Sequence, residues 1–237
     1  MKIILSSKTE FVSNRRIVSP ARKVPRRHNG VSGKHPSVKN QKVLRYESTL
    51  ERDFMLSLEF DLEVDSFVEQ PLTIYYHKVQ DNEQAIRRNL RYTPDLVIYY
   101  YPHLGRRPAI CEVKPERLLI KNADEYLPKF MAAELFCTEH GFDFLKVTEK
   151  SVPAEFVSNI NDLYPHKIAE PKVDSERKIR DFFLAHQDRC VKAGELFSRF
   201  DGDPEFGDAL RRLIADGQIK TDLRKTICRE SIFHMEV

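Results

Sequence analysis

The chain has 237 residues but no long apolar run, and its first five residues are followed at once by polar ones. A membrane-spanning helix needs about 20 consecutive apolar residues, and a secretory signal needs an apolar stretch of its own. The sequence therefore predicts a cytoplasmic protein without a membrane partner.

Cysteine is scarce and lacks the spacing of a site. The four cysteines form no C-x-x-C pair, and no histidine stands near them at ligand spacing. We therefore expect reduced thiols and neither a zinc site nor a disulfide framework. The eight histidines contain no H-E-x-x-H pattern, and we interpret them as structural or surface residues.

Charge is small in total and uneven in distribution. The formal net charge is +3, yet residues 1–45 hold twelve Lys and Arg against one acid, which leaves 27 basic and 35 acidic residues in the rest. Such a basic arm favours a polyanion, because Lys and Arg on phosphates release counterions. A solvated, disordered tail is the alternative. The predicted DNA contacts are Arg22, Lys23, Arg26, Arg27 and Lys39.

Three residues form a pattern with specific chemistry. Asp95 follows Pro94, Glu112 comes seventeen residues later, and Lys114 lies two positions beyond it. This set is typical of PD-(D/E)xK nucleases. Phosphodiester hydrolysis uses one or two hard divalent cations held by carboxylate and carbonyl oxygens. A lysine beside them can orient or deprotonate the attacking water and balance charge on the phosphate.

The spacing brings these residues together. Residues 91–101 and 108–114 are predicted strands, rich in Val, Ile and Tyr around a turn with Pro and Gly. In an antiparallel pair centred near residue 104, Asp95 lies opposite about residue 113, so Glu112 and Lys114 share the face beside it. A surface hairpin with ordinary polar ends is the alternative interpretation.

A helix predicted over residues 46–60 supplies a fourth acid. Glu51 lies on the inner, apolar side of that helix, where a carboxylate is costly unless it is paired or bound to a metal. Glu47, one turn earlier on the same face, is the other candidate for this role. A third interpretation is that Glu51 reaches solvent at the edge of the stripe.

These segments together resemble the N-terminal catalytic domain of TnsA, the endonuclease subunit of heteromeric transposases, including those of CRISPR-associated transposons. The resemblance is close over residues 29–149 and looser towards the C-terminus. It rests on five ordered blocks: Ser37-x-Lys39-Asn40, the run YESTLERDF from Tyr46, Glu69-Gln70-Pro71, Thr93-Pro94-Asp95 and Glu112-Val113-Lys114-Pro115.

The resemblance implies a restriction-endonuclease-like α/β fold with a mixed sheet, and a site that uses one or two Mg²⁺ ions, with Mn²⁺ as a substitute. It makes Glu51, Asp95, Glu112 and Lys114 catalytic. Asp95 and Glu112 hold metal together with the backbone carbonyl of Val113, and Glu51 binds a second ion or its waters.

The resemblance also implies the substrate and the partners. Double-stranded DNA at the transposon ends is cut on the strand that is not joined to the target, at its 5′ end. A DDE-type transposase and an AAA+ regulator act with the nuclease.

We divide the chain into a basic arm (1–45), a catalytic domain (46–150), a linker (151–171) and a winged-helix-like helical domain (172–237). The last contains three amphipathic helices and a predicted two-stranded wing. It binds either DNA or a protein partner, and its candidate DNA contacts are Arg211, Arg212, Arg224, Lys225 and Arg229.

Two other functions fit parts of the pattern. A free-standing restriction or repair endonuclease would carry the same four residues and cut DNA alone. A non-catalytic DNA-binding adaptor is disfavoured, because a decayed site should have lost one of the four. Gln70 is a marginal candidate for contact with the site, with a role in fixing the turn as the alternative.

Overall fold

The computed structural model describes residues 2–9, 11, 16–21, 31–79 and 90–236. The chain is mixed α/β and divides into two compact units, Met1–Ser151 and Val152–Val237. Within the described ranges, none of the helices has the length and apolar character needed to cross a bilayer.

The first unit holds nine described strands and three helices. In chain order they are β1 (Lys2–Leu5), β2 (Gly33–Ser37), β3 (Lys42–Tyr46), α1 (Thr49–Phe60), β4 (Val64–Glu69), β5 (Ile74–Val79), β6 (Leu90–Tyr92), β7 (Leu96–Tyr100), β8 (Ala109–Val113), α2 (Glu116–Lys121), α3 (Ala123–His140) and β9 (Asp143–Val147).

A four-stranded mixed sheet with the order β4-β7-β8-β9 organises this unit. β4, β7 and β8 are antiparallel neighbours, whereas β8 and β9 run parallel. Parallel strands need a long crossover, and α2 and α3 provide it. Phe136 of α3 packs with Val97 and Ile110 in the core, and α1 contacts β4 and β8.

The predicted strand over residues 91–101 is in fact two strands in two different sheets. β6 pairs with β5 in a three-stranded sheet of order β1-β5-β6, and β7 pairs with β4 and β8. The chain changes sheet at Thr93-Pro94-Asp95, and Pro94 has no N–H to donate to a ladder. Asp95 therefore stands at a junction between the two sheets.

The two predicted helices of this unit are present with different starts. α1 begins at Thr49 behind the cap residue Ser48, whose hydroxyl accepts from the Glu51 amide at 3.2 Å. The second helix, which the sequence predicts over residues 128–140 with Gly141 as its stop, is α3; it begins earlier, at Ala123, and contains Pro128. Gly141 ends α3 at φ +74°, as predicted.

The second unit begins with a helix where we predicted a linker. Residues 151–171 contain α4 (Ala154–Ile168), whose Ile160 and Leu163 are buried. The linker prediction rested on Pro153 and Pro165. Pro153 is the N-cap residue of this helix, and Pro165 lies inside its last turn, where it removes one backbone hydrogen bond. α4 packs against a later helix of the same unit. The segment is part of a folded core and not a linker.

The remaining elements of this unit are α5 (Val173–Leu184), β10 (Cys190–Lys192), α6 (Ala193–Arg199), α7 (Phe206–Ala215), β11 (Ile219–Lys220) and β12 (Ile232–Met235). The strands form an antiparallel sheet of order β10-β12-β11. Two-stranded pairing was predicted for residues 219–224 and 226–233; the strands observed there are only β11 and β12, with β10 as a third strand, and the winged-helix assignment stays a prediction.

Candidate active site

The β7–β8 hairpin brings Asp95, Glu112 and Lys114 to one end of the central sheet. Leu96 pairs with Cys111, so the next position puts Asp95 opposite Glu112, one residue from the predicted partner at 113. The Asp95 amide donates to the Cys111 carbonyl at 3.0 Å and continues the ladder past the end of β7. The convergence expected from the spacing is therefore present in the structure.

The Lys114 ammonium lies in the middle of this group. Its Nζ is 2.8 Å from Asp95 Oδ2, 3.2 Å from Glu112 Oε1 and 3.1 Å from the Val113 carbonyl oxygen. Asp95 Oδ2 also accepts from the Val113 amide at 2.8 Å, which fixes the carboxylate against β8. Three oxygen atoms thus surround one positive charge.

This oxygen set fits a hard divalent cation. Two carboxylates and a backbone carbonyl are ligands that Mg²⁺ and Mn²⁺ accept, and the three oxygens already converge on a cationic group. In the described part of the chain, no three His, Cys, Asp or Glu side chains are close enough to hold a metal by themselves. The Val113 carbonyl and a rearranged Lys114 are therefore needed to complete such a site.

Glu51 is buried at the start of α1, with 7% of its surface exposed. Its Oε2 accepts from the Glu47 amide at 2.8 Å and its Oε1 from the Ser48 hydroxyl at 3.0 Å. Burial and the nearby charge of Asp95 raise the pKa of Glu51 to about 7. A carboxylate in this position is poised to gain a positive partner.

Glu47 has a different environment from Glu51. Its side-chain Oε1 accepts from Gln70 Nε2 at 3.0 Å, and its backbone amide holds Glu51. The charge of Asp95 affects the pKa of Glu51 directly. This geometry favours Glu51 as the helical acid, with Glu47 beside it as a support, and the assignment stays a prediction.

The same cluster of charged groups shifts the pKa values of Glu112 and Lys114. Burial and the charge of Asp95 raise the pKa of Glu112 to about 7. Burial alone would lower the pKa of Lys114, but the charges of Asp95 and Glu112 outweigh it and raise that pKa well above its ordinary value. The lysine is therefore a fixed cation in the metal-free protein.

Gln70 both shapes the turn and reaches the neighbourhood of the site. It is buried and adopts φ +43°, a left-handed conformation that costs a non-glycine residue free energy. Its amide donates to the Asp95 carbonyl at 2.8 Å while its side chain donates to Glu47. Gln70 thus joins the segment that carries Asp95 to the start of α1.

Lys39, a predicted DNA contact, makes hydrogen bonds within the protein, and its contact with DNA stays a prediction. Its ammonium donates to the Asp61 carbonyl at 2.6 Å and also to the Val64 carbonyl, and its amide donates to Glu59 Oε2 at 3.1 Å. These bonds attach the segment after β2 to the end of α1. The other four predicted DNA contacts, Arg22, Lys23, Arg26 and Arg27, lie outside the described residues.

Tyr92 is a residue of the site that sequence reasoning missed. Its hydroxyl donates to Glu112 Oε2 at 2.7 Å, although Tyr92 belongs to β6 in the other sheet. Its position three residues before Asp95 was the available signal, because a buried tyrosine requires a polar partner for its hydroxyl.

Comparison with known proteins finds a family match for the part of the chain that contains the β7–β8 hairpin. Residues 61–149 match the sequence model of the TnsA-like endonuclease N-terminal family. The matched range includes Asp95, Glu112 and Lys114 and begins after Glu51. No curated protein matches the chain. The resemblance to TnsA-type endonucleases is confirmed over this range.

Proposed function

We propose that this chain, with its TnsA-like endonuclease domain, is the DNA-cleaving subunit of a heteromeric transposase. The observation that carries the proposal is the convergence of Asp95, Glu112 and the Val113 carbonyl on the Lys114 ammonium, inside the matched segment. A buried cluster with more acids than cations is costly for folding and is therefore a candidate for function.

The proposed metal ligands are Asp95, Glu112 and the Val113 carbonyl, for one or two Mg²⁺ ions or for Mn²⁺. When bound, such an ion supplies an activated water and offsets charge on the scissile phosphate. Asp95 is held in place by the Val113 amide, so one of its oxygens has a fixed direction before any ligand arrives. A ligand fixed in this way loses little conformational entropy on binding.

Lys114 acts in this proposal as a hydrogen-bond donor and a positive charge, not as a base. Its raised pKa keeps it protonated beside the two acids. Once rearranged beside a bound cation, the ammonium would orient the attacking water or bind a phosphate oxygen, and it would stabilise negative charge that develops during in-line attack. Glu51, in the first turn of α1, would hold a second ion or the waters around it.

The DNA substrate is supported by charge on the part of the basic arm, residues 1–45, that the structure describes. Lys34 and Arg45 lie directly opposite each other on the exposed face of the β2–β3 hairpin. Among the residues that the structure describes, neither side chain has an ion-pair partner. Like charges in that register repel, so a row of phosphates would relieve the repulsion.

Strand choice and partners follow from the family. We propose hydrolysis of the non-transferred strand at the 5′ ends of the transposon, beside a DDE-type transposase and an AAA+ regulator. The order α5-β10-α6-α7-β11-β12 supports a winged-helix-like assignment for the second unit. Arg211 and Arg212 of α7 are engaged with α4 and the residue after it, through Asp162 and two backbone carbonyls, which favours protein over DNA as the ligand of that helix.

The test is a cleavage assay on end-labelled transposon-end DNA, with Mg²⁺, in the presence and absence of the DDE-type partner. Partner-dependent cutting of one strand supports the proposal, and the absence of that cutting in Asp95→Ala identifies the site. Cutting without a partner would support the free-standing restriction or repair nuclease. Unchanged cutting by both Asp95→Ala and Lys114→Ala would refute the nuclease site.

A further inference from the structure

The Glu112 carboxylate is held from two sides by groups of different origin. Its Oε1 is 3.2 Å from Lys114 Nζ, and its Oε2 accepts the Tyr92 hydroxyl at 2.7 Å. Lys114 follows Glu112 in sequence, whereas Tyr92 comes from the sheet formed by β1, β5 and β6. The second contact therefore exists only because the two sheets meet at the Thr93-Pro94-Asp95 junction.

Both members of this contact are buried. Tyr92 is 5% exposed and Glu112 is 4% exposed. A buried phenol hydroxyl needs an acceptor, and a bond to an ionised carboxylate is shorter and stronger than one between neutral groups. The contact restrains the orientation of the Glu112 side chain, because one oxygen is fixed by Tyr92 and the other is left facing Lys114.

The arrangement parallels that of Asp95. The backbone amide of Val113 donates to Asp95 Oδ2 and holds that carboxylate against β8. Glu112 lies within β8, and its side-chain donor is Tyr92 of the other sheet. Apart from Lys114, each acid thus accepts a hydrogen bond from one other donor. For Glu112 that donor is a side chain, which a substitution can remove without changing the backbone.

We propose that Tyr92 is a positioning residue for Glu112, and that its hydroxyl aims Glu112 Oε1 at the position where the nuclease cation binds. The inference rests on the proposed function, since it assumes that Glu112 is a metal ligand. Hydrogen bonds to metal ligands typically change metal affinity about 10- to 100-fold when they are removed. Tyr92→Phe removes only the hydroxyl and keeps the ring in the core.

The competing explanation is that Tyr92 is an ordinary core residue whose hydroxyl happens to reach an acceptor. Tyr76 provides a matched control because it is 3% exposed and lies on β5, the strand beside β6. Within the described ranges, its hydroxyl has no hydrogen-bond partner. Tyr76→Phe therefore removes the hydroxyl of a buried tyrosine in the same sheet without touching Glu112.

The experiment is a calorimetric titration of the full chain with MnCl₂, for the wild type, Tyr92→Phe, Tyr76→Phe and Asp95→Ala. We expect about tenfold weaker Mn²⁺ binding in Tyr92→Phe, wild-type affinity in Tyr76→Phe and no binding in Asp95→Ala. DNA cleavage by Tyr92→Phe should be reduced at limiting Mn²⁺ and restored at saturating Mn²⁺, which a general loosening of the core would not produce.

Each other outcome decides between the two proposals. Mn²⁺ affinity in Tyr92→Phe within about twofold of the wild type, well short of the expected change, would overturn the role of Tyr92 and leave the nuclease proposal intact. Equal weakening in Tyr92→Phe and Tyr76→Phe would overturn it as well, because packing would then be the cause. Absence of Mn²⁺ binding by the wild type, or unchanged binding in Asp95→Ala, would overturn the proposed metal centre and this inference together.

Discussion

α1 has a buried glutamate near each end, and the surroundings raise the pKa of one and lower the pKa of the other. Glu51 near the start is 7% exposed and Glu59 near the end is 1% exposed. Burial alone would raise the pKa of Glu59, but the neighbouring His35 ring and hydrogen bonds from the Ser37 hydroxyl and the Lys39 amide outweigh it and lower that pKa. The pKa of Glu51 rises to about 7, although Ser48 and the Glu47 amide donate to it.

The difference shows that burial does not decide the state of an acid. Glu59 receives the Ser37 hydroxyl at 2.5 Å and the Lys39 amide at 3.1 Å, with His35 Nε2 at 3.5 Å. Glu51 must share a neighbourhood with Asp95 and a single lysine. The acid at one end of the helix is therefore satisfied by hydrogen-bond donors, while the acid at the other end is the one that we propose as a metal ligand.

The largest expected effect is on catalysis at the Glu51 end. Asp95→Ala or Lys114→Ala should reduce single-turnover cleavage at least about a thousandfold, which corresponds to roughly 4 kcal/mol of transition-state stabilisation. Lys146→Ala is the matched control, since Lys146 lies on the adjacent strand opposite Glu112 and pairs with Glu134. A comparable reduction in the control would contradict a specific role for Lys114.

A substitution at Glu59 should lower the stability of the protein more than a substitution at Glu51. Glu59→Gln places an amide donor against the Ser37 and Lys39 donors, so we expect the free energy of unfolding to fall by about 2–3 kcal/mol. Glu51→Gln removes a crowded charge and should change stability by less than about 1 kcal/mol at about pH 8 while abolishing cleavage. Denaturant titration of both variants measures this, and equal destabilisation would remove the distinction between the two ends.

The pH dependence of stability follows from the direction of the shifts. Glu51 and Glu112 have a folded pKa of about 7, above the ordinary value of 4.5, so their contribution is fully present below about pH 4.5 and is lost as the pH rises through 7. We expect the stability of the metal-free protein to fall by about 1–3 kcal/mol from these two groups between about pH 5 and pH 8.

Two experiments test this pH dependence of stability, one with a double variant and one with Mg²⁺. The double variant Glu51→Gln, Glu112→Gln should flatten the profile of unfolding free energy across this range. Mg²⁺ binding by the wild type should strengthen over the same interval, because protons compete with the ion for the same oxygens. A wild-type profile that rises across this interval and stays unchanged in the double variant would contradict the raised pKa values.

The smallest effect concerns DNA affinity. Lys34→Glu and Arg45→Glu should each weaken DNA binding and reduce the slope of log affinity against log salt concentration by about 0.9 for each phosphate that the protein no longer neutralises. Lys129→Glu is the control, because that ammonium already pairs with Glu125 at 2.6 Å. An unchanged salt slope in both hairpin variants would exclude the hairpin from the DNA-binding surface.

The local sequence pattern predicted those features whose parts lie close together along the chain. The strands around the β7–β8 turn, the α1 helix and the convergence of Asp95, Glu112 and Lys114 follow from periodicity and spacing. The division of the strand predicted over residues 91–101 into β6 and β7 does not follow from them, because the pairing partners decide which sheet a strand joins. The Tyr92 contact depends on that division, so its only signal in the sequence was the short distance along the chain from Tyr92 to Asp95.

Two other features of the structure depend in the same way on contacts that are distant in sequence. A lysine in a sequence looks the same whether it faces solvent or, like Lys39, donates to backbone carbonyls at a helix end. Prolines suggest a linker unless they occupy helix positions that tolerate a missing N–H, as Pro153 does before α4. Burial of Ile160 and Leu163 then stabilises a helix that local signals disfavour.

The most direct test of the central claim is a crystal structure of the full chain with Mn²⁺, with the ion located by its anomalous scattering. The account predicts a peak about 2–2.3 Å from oxygens of Asp95, Glu112 and the Val113 carbonyl, with the Lys114 ammonium moved away from its present position. A peak at any other set of residues, or the Lys114 ammonium still between Asp95 and Glu112 at saturating Mn²⁺, would contradict it.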